Sequence, residues 1–166
     1  MWEQALTAVL KLGIPVAILA TFLLRQMYRK GTLDPTENTK AVDERIKTLR
    51  KEKDPSVKTN LVQSKWMQFG GGFYGLAALW TFIVIELEQL IQFLSSFPGF
   101  AELTKNGIVN MIIQLGVEQI KNFVAAMVWF LYWAPQGAAI GVWFLVAYVS
   151  YLTGDHLAKK LAFQTS

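Results

Sequence analysis

Apolar residues fill three long stretches of the chain, and polar residues collect in the segments between them. The stretches run over residues 5–24, 66–94 and 123–152. A helix needs about 20 apolar residues to cross the ~30 Å hydrocarbon core of a bilayer. The pattern therefore predicts an all-α integral membrane protein with three transmembrane helices, built as a single membrane unit over residues 1–166.

The two later stretches contain features that limit their spanning parts. After Ile85 the second stretch becomes amphipathic, and the Phe-Pro-Gly sequence at 97–99 ends its helix, because proline cannot continue the hydrogen-bond ladder. The third stretch would be about 45 Å long as one helix, which exceeds an untilted crossing. We predict that Pro135 kinks it, with the spanning part over 134–152.

Residues 95–122 form a predicted outer segment between the second and third stretches. Its polar residues recur at helical spacing: Asn110, Gln114, Glu118 and Lys121. This pattern predicts an amphipathic helix over 108–123. The helix either lies flat at the outer interface or re-enters the membrane with its polar side against protein. A fourth full crossing would place charged residues in hydrocarbon, so the pattern favours three crossings.

Residues 25–65 form a basic loop with helical character. Asp34, Pro35 and Glu37 have the spacing of a helix N-terminus, with the aspartate as N-cap. The apolar side of this helix is narrow and contains Val42, Ile46 and Leu49. Such a stripe fits lipid headgroups or a partner, and we favour a solvated connector held near anionic lipid.

The basic loop also predicts the orientation of the chain. It contains eleven of the 16 Lys and Arg residues against six Asp and Glu residues, a formal charge of +5. Because basic residues are retained on the cytoplasmic side, we predict the loop inside and the N-terminus outside. The C-terminal tail, with Lys159 and Lys160, is then cytoplasmic. The compartment we expect is the prokaryotic inner (plasma) membrane.

A basic segment beside membrane stretches predicts contact with anionic lipid on the cytoplasmic side, and not with nucleic acid. The residues expected to contact headgroups lie at the predicted helix ends: Arg25, Arg29, Lys30, Arg50 and Lys51. The attraction is worth about 1 kcal/mol for each basic residue near an anionic surface. Membrane lipids are therefore one predicted class of partner.

Small residues four apart give each predicted span a face for close helix packing. The pairs are Gly13 and Ala17, Gly71 and Gly75, and Gly137 and Gly141. Such faces let helix backbones approach, which favours dispersion contacts where lipid provides no hydrophobic drive. The sequence leaves open whether these faces pack within one subunit or between subunits.

Few residues carry chemistry. The chain has no Cys and a single His, which excludes disulfides, thiolate metal sites and a Cys nucleophile. We find no Ser with a paired base and no ligand cluster, so we predict no enzymatic activity, no cofactor and no metal. Glu86 and Lys11 are the titratable residues nearest the outer membrane boundary, and we expect Asp155 and His156 to be exposed.

These features favour a non-enzymatic membrane subunit that assembles with itself or with larger membrane proteins to organise or stabilise a complex. The alternative is a homo-oligomeric ion or proton channel subunit, in which Glu86 and Lys11 would titrate. A lipid-modifying enzyme is the least favoured class, since only membrane residence supports it.

Overall fold

The computed structural model describes residues 2–52, 61–95, 100–134 and 139–164, which form helices and turns without a β-strand. The predicted all-helical class is confirmed for these residues. A π-helical turn, Val9–Gly13, joins the first two helices. Within 100–115, only the side chains of Gly107 and Ile113 are described. The helices are α1 Trp2–Ala8, α2 Ile14–Arg29, α3 Thr39–Glu52, α4 Leu61–Gln68, α5 Gly72–Ser95, α6 Phe100–Met127, α7 Trp129–Trp133 and α8 Ile140–Phe163.

Two helical segments are long and apolar enough to cross a membrane: Trp2–Arg29, which comprises α1, the π-helical turn and α2, and Gly72–Ser95, which is α5. They correspond to the first and second predicted spans. The second begins later than expected, because Gly70, Gly71 and Gly72 have φ angles of 112°, 69° and 57°. This left-handed region favours glycine and ends α4 before α5 starts.

The third predicted span, 123–152, is divided among three helices. α6 passes through residue 123 and ends at Met127, and Val128 leaves the helical conformation with φ −103° and ψ 36°. α8 continues past residue 152 to Phe163. A separate amphipathic helix over 108–123 is therefore not confirmed, and two residues of its predicted polar side, Asn110 and Gln114, lie outside the described side chains.

α3 begins at Thr39 and not near Asp34. The Asn38 side chain accepts a hydrogen bond from the Ala41 N–H at 2.9 Å, which is the contact of an N-cap residue. Asp34 instead accepts from the N–H and the hydroxyl of Thr36, at 2.8 and 2.6 Å. The predicted cap was wrong because an aspartate can close a turn on its own backbone as readily as it caps a helix.

Cross-helix contacts fix the relative directions of the long helices. Gly13, just before α2, lies beside Ser150 of α8. Tyr28, near the C-terminal end of α2, contacts Asp155, which is further along α8. α2 and α8 therefore run in the same direction. α5 runs in the opposite direction, because its Trp80 contacts Lys11. We call the end that holds Glu3 and Glu88 the Glu3 end, and the end that holds Tyr28 and Asp43 the Asp43 end.

α2 and α8 approach most closely at Gly154. A Cβ added there would lie 2.5 Å from the Ala20 Cβ and 2.7 Å from the Ala17 carbonyl oxygen. Only a residue without a side chain fits this distance. The Thr21 hydroxyl lies 3.3 Å from the Gly154 carbonyl oxygen and donates to it and to Ala17 O. The predicted packing face of Gly13 and Ala17 is thus occupied within the subunit.

α6 and α7 form a hairpin that reaches into the bundle from the Glu3 end. Asn122 of α6 contacts Glu86, and the Tyr74 hydroxyl, further toward the Asp43 end, donates to the Met127 carbonyl. The chain then turns back, since Trp133 of α7 donates to the Thr81 hydroxyl at 2.7 Å. α8 therefore begins at the Glu3 end.

Pro15 determines a contact between α2 and α5. Proline has no N–H, so the Lys11 carbonyl, four residues earlier, lacks its α-helical donor. The Trp80 indole N–H donates to this carbonyl at 2.8 Å. The π-helical turn Val9–Gly13 ends two residues before Pro15. A side chain of α5 thus satisfies a backbone group that the sequence of α2 leaves open.

We expect Trp80→Phe to lower the free energy of unfolding by about 1 kcal/mol, the value of a typical hydrogen bond. In a Pro15→Ala background the alanine N–H can supply the missing donor, so the same change should cost much less. The four proteins form a double-mutant cycle, measured by reversible unfolding in mixed detergent micelles. Equal losses in both backgrounds would contradict the assigned role of the indole.

Candidate functional site

A buried polar network lies at the Asp43 end and is centred on Asp155. Its carboxylate is 1% exposed and accepts from the Tyr28 hydroxyl at 2.5 Å and the Thr39 hydroxyl at 2.6 Å. Lys159, one turn further along α8, forms an ion pair with it at 2.7 Å. Three helices therefore share one buried charge, and a carboxylate so placed is stable only with its partners.

A second carboxylate, Asp43 of α3, joins the same region. The Tyr151 hydroxyl of α8 donates to Asp43 Oδ1 at 2.5 Å. Burial raises the pKa of Asp43 above its usual 3.8, although the Tyr151 hydrogen bond and the Lys47 charge act to lower it. The Asp155 charge contributes to the rise in pKa. Asp43 can thus hold a proton more readily than an exposed aspartate.

These contacts dock α3 onto the bundle. Its narrow apolar stripe is fully covered, with exposed fractions of 0%, 1% and 1% for Val42, Ile46 and Leu49. Gly71 permits this packing, since a Cβ there would lie 2.7 Å from the Ile46 side chain. The interpretation of the loop helix as a solvated connector is wrong for α3, because the stripe packs against its own chain.

The raised pKa of Asp43 predicts a pH dependence. A carboxyl that binds its proton more tightly when folded favours folding at low pH, and this contribution is lost as pH rises through the folded pKa. We expect the free energy of unfolding of Asp43→Asn, relative to wild type, to increase as pH rises from the usual aspartate pKa of 3.8 through the raised pKa of folded Asp43. Thermal unfolding in detergent across this range measures the difference.

Glu44→Gln is the matched control for this prediction. Glu44 neighbours Asp43 but is exposed, and the Lys47 hydrogen bond lowers its pKa. A lowered pKa contributes stability above the unfolded pKa, so the relative stability of Glu44→Gln should fall as pH rises. The two variants should therefore show slopes of opposite sign, with the smaller slope for Glu44. Parallel slopes would disprove the assignment.

A separate polar cluster surrounds Glu86 between α5 and α6. Gln119 and Asn122 each donate to the Glu86 carboxylate at 2.8 Å. Asn122 is 4% exposed and also bonds with Gln89. Glu86, which the sequence marks as a titratable residue near the outer boundary, is thus held by amide groups. The cluster positions α6 against α5.

A cleft of about 520 Å³ opens at the Glu3 end. It is lined by Glu3, Gln4, Thr7, Lys11, Glu88, Tyr132, Trp133 and Trp143. Neither Lys11 nor Glu3 takes part in an ion pair among the described residues. The Trp143 indole nitrogen is buried and has no hydrogen-bond partner among the residues that the structure describes. The cleft therefore combines charges of both signs with aromatic side chains.

The structure places the five residues predicted to contact lipid headgroups as follows. Arg29, Lys30, Arg50 and Lys51 are exposed at the Asp43 end, and Arg25 is partly buried. Arg50 also lies 3.5 Å from the Gly70 carbonyl oxygen. Basic charge is thus exposed at this end, and contact of these residues with lipid headgroups stays a prediction.

The glycine pairs do not all form helix faces. Gly71 lies in a turn, and Gly75 faces Trp66 of α4, whose carbonyl oxygen would be 3.0 Å from an added Cβ. The pair therefore packs α3 and α4 against α5 rather than one span against another. Gly141 has open space around it, and Gly137 lies outside the described residues.

Sequence reasoning missed the Asp155 network. It placed Asp155 on an exposed tail, whereas the structure buries it and leaves only His156 exposed. A signal was present, because Tyr151, Asp155 and Lys159 recur every four residues and so share one helix face. That periodicity indicates that α8 continues past residue 152 with a polar contact face.

The fold and its polar sites define an all-helical protein with two candidate membrane-spanning helices and a basic helix, α3, docked onto α8 through the carboxylates of Asp43 and Asp155. Among the described residues, no group of three His, Asp or Glu side chains is placed to hold a metal ion. Comparison of the chain with protein families, with curated proteins and with solved structures finds no match.

Proposed function

We propose that the chain is a non-enzymatic membrane subunit that assembles with itself or with larger membrane proteins and organises or stabilises the complex. The observation that carries this proposal is an exposed apolar surface on the ends of α5 and α6, beyond the charged residues of the Glu3 end. Such a surface lies too far out to be covered by the hydrocarbon of the bilayer alone.

In the proposed placement the chain crosses the membrane three times, through α1–α2, α5 and α8. The α6–α7 hairpin re-enters the membrane from the outer side. Large apolar side chains are exposed along these helices, among them Leu10, Ile14, Ile18, Phe22, Leu145 and Val149, as expected of a lipid-facing surface. The parallel directions of α2 and α8 support an odd number of crossings.

The orientation places the Glu3 end outside and the Asp43 end in the cytoplasm of a prokaryotic cell. The exposed basic residues Arg29, Lys30, Arg50 and Lys51 then face the anionic lipids of the inner leaflet. Arg25 lies at the same boundary. The N-terminus is outside, and the C-terminal part of α8 reaches the cytoplasm.

The outer end of α5 presents the apolar surface. Glu88 and Glu3 line the same cleft, so they mark one level of the bundle, and α5 continues to Ser95, about 10 Å further. Over this end a helical stripe of four residues is 49–67% exposed: Leu87, Leu90, Ile91 and Leu94. Their spacing of three and four residues is the pattern by which one helix packs on another.

α6 presents a similar exposed apolar stripe. Ile113, Val117, Ile120 and Val124 follow helical spacing and are 46–67% exposed. The α5 stripe and the outer part of the α6 stripe, Ile113 and Val117, lie beyond the Glu86 cluster and favour a protein partner over lipid, since exposed patches of this kind usually mark interaction sites. The partner is either a second copy or a larger membrane protein.

The test is the mass of the assembly extracted from the native membrane in nanodiscs, with every co-purifying chain identified. We expect Leu90→Ala combined with Leu94→Ala to reduce the assembled fraction strongly, because central interface residues each contribute about 1–2 kcal/mol or more. Ile14→Ala combined with Ile18→Ala is the matched control, with the same spacing and similar exposure on a lipid-facing helix.

The control pair should leave the assembly intact. A wild-type chain that is monomeric in its native membrane would contradict the proposal. Equal dissociation by both pairs would show that the outer stripe has no specific role.

The channel alternative has one supporting observation: the Lys11 charge lines a cleft and has no ion-pair partner among the described residues. Glu86, the other candidate, belongs to a different polar cluster between α5 and α6. A proton or ion path would need to connect these two places. Unchanged conductance in Lys11→Met and Glu86→Gln would remove both residues from any path.

A further inference from the structure

We propose that the cleft at the Glu3 end binds a phosphodiester joined to an organic ammonium group, the chemistry of a zwitterionic phospholipid headgroup. The cleft volume of about 520 Å³ lies within the range of sites that hold small ligands. This proposal adds a ligand to the proposed assembly role. It rests on the proposed membrane placement in one respect, because that placement makes an outer-leaflet phospholipid the source of the ligand.

The charges in the cleft match such a ligand. Two carboxylates, Glu3 and Glu88, line it together with one ammonium group, that of Lys11. Glu3 and Lys11 have no ion-pair partner among the described residues, although they share a cleft. A zwitterion satisfies both signs at once, because its ammonium group can meet the carboxylates while its phosphodiester meets the lysine.

The order of these charges along the helix matches the order of groups in a phospholipid. Glu3 is at the start of α1, and Lys11 lies eight residues further into the bundle, about 12 Å along the helix axis. In an outer-leaflet phospholipid the ammonium group lies nearest to water and the phosphodiester lies deeper. The long lysine side chain can extend its ammonium group back toward the headgroup region.

Aromatic groups complete the cleft. Tyr132, Trp133 and Trp143 line it, and the last two rings stack with centroids 6.1 Å apart. Aromatic faces attract organic ammonium groups.

The experiment uses the full chain in nanodiscs of equal parts phosphatidylethanolamine and phosphatidylglycerol, with retained lipids counted by native mass spectrometry. Wild-type protein should retain phosphatidylethanolamine over phosphatidylglycerol by about tenfold, the effect of one charge-assisted hydrogen bond. Glu3→Gln combined with Glu88→Gln should abolish this preference. Lys11→Met should reduce retention of both lipids by about tenfold, since both carry the phosphodiester.

Glu118→Gln is the control, because Glu118 is an exposed carboxylate on α6 outside the cleft lining. It should retain lipids as wild type does. Glu3→Gln alone keeps the test valid if the double variant folds poorly, because Glu3 is exposed on α1. Equal retention of the two lipids by wild type overturns the proposal, as do cleft variants that behave like Glu118→Gln.

A competition arm separates the two sources of this chemistry. Excess soluble glycerophosphoethanolamine is added before mass analysis. If the bound phosphatidylethanolamine remains, the ligand is the membrane lipid, as we expect. Displacement of the lipid by the soluble compound supports the same site with a soluble phosphodiester as its ligand. Failure of both compounds to bind overturns the site.

Discussion

Asp155→Ala is expected to lower the free energy of unfolding by about 3–5 kcal/mol, the cost of breaking a buried ion pair from one side. The substitution leaves the Lys159 ammonium group without its counter-ion and removes the acceptor of two hydroxyls, those of Tyr28 and Thr39. Each unsatisfied buried donor adds to the loss. The measurement is reversible unfolding in mixed micelles.

Two further variants separate the network from a general packing effect. His156→Ala changes the next residue, which is exposed, and should leave the free energy of unfolding nearly unchanged. Asp155→Ala combined with Lys159→Met removes both charges and should recover part of the loss, because an uncompensated buried charge is the largest cost. A loss below about 0.5 kcal/mol for Asp155→Ala, the range of ordinary surface substitutions, would disprove the central role of this residue.

Gly154→Val is expected to separate α2 from α8 and to cost more than the ~1–3 kcal/mol typical of overpacking. The added Cβ would lie 2.7 Å from the Ala17 carbonyl oxygen and 3.2 Å from the Thr21 nitrogen. These are backbone atoms, so the helices must move apart to relieve the contact. Gly154→Ala, with the smaller side chain, should lie near the lower end of the range.

Gly141→Ala is the matched control on the same helix. An added Cβ there meets no atom within 4 Å, and alanine favours a helix over glycine by about 1 kcal/mol. The control should therefore be neutral or slightly stabilising. Unfolding of both variants in the same detergent, with inter-helix distances measured between spin labels on α2 and α8, tests the expectation. A Gly154 variant that keeps both stability and distance would refute the close approach.

The helical class and the first two membrane candidates were predictable because they depend on local patterns. Runs of about 20 apolar residues can be identified without knowledge of the tertiary structure. The same is true of the irregularity at Pro15, which follows from the missing N–H. The third span was less predictable, since its apolar residues are shared by α6, α7 and α8. Hydropathy alone does not show where a helix turns back.

The candidate site was largely missed because its contacts are remote in sequence. Asp155 meets Tyr28 and Thr39 across 127 and 116 residues, and no local pattern reports such a pairing. The burial of α3 was missed for a related reason: the three-residue apolar stripe is narrow, and its docking depends on close approach of Ile46 to the distant Gly71. The sequence marks Lys11 as a titratable residue near the outer boundary, but its cleft requires residues from four helices.

The pairing of α2 with α8 also decides the order in which the protein can be completed. A ribosome delivers the chain from its N-terminus, so α2 is complete long before residues 140–163 exist. During that interval the small-residue face of α2 lacks the contact with Gly154. Synthesis that stops before α8 therefore yields a chain in which the Tyr28 hydroxyl has lost its acceptor, Asp155.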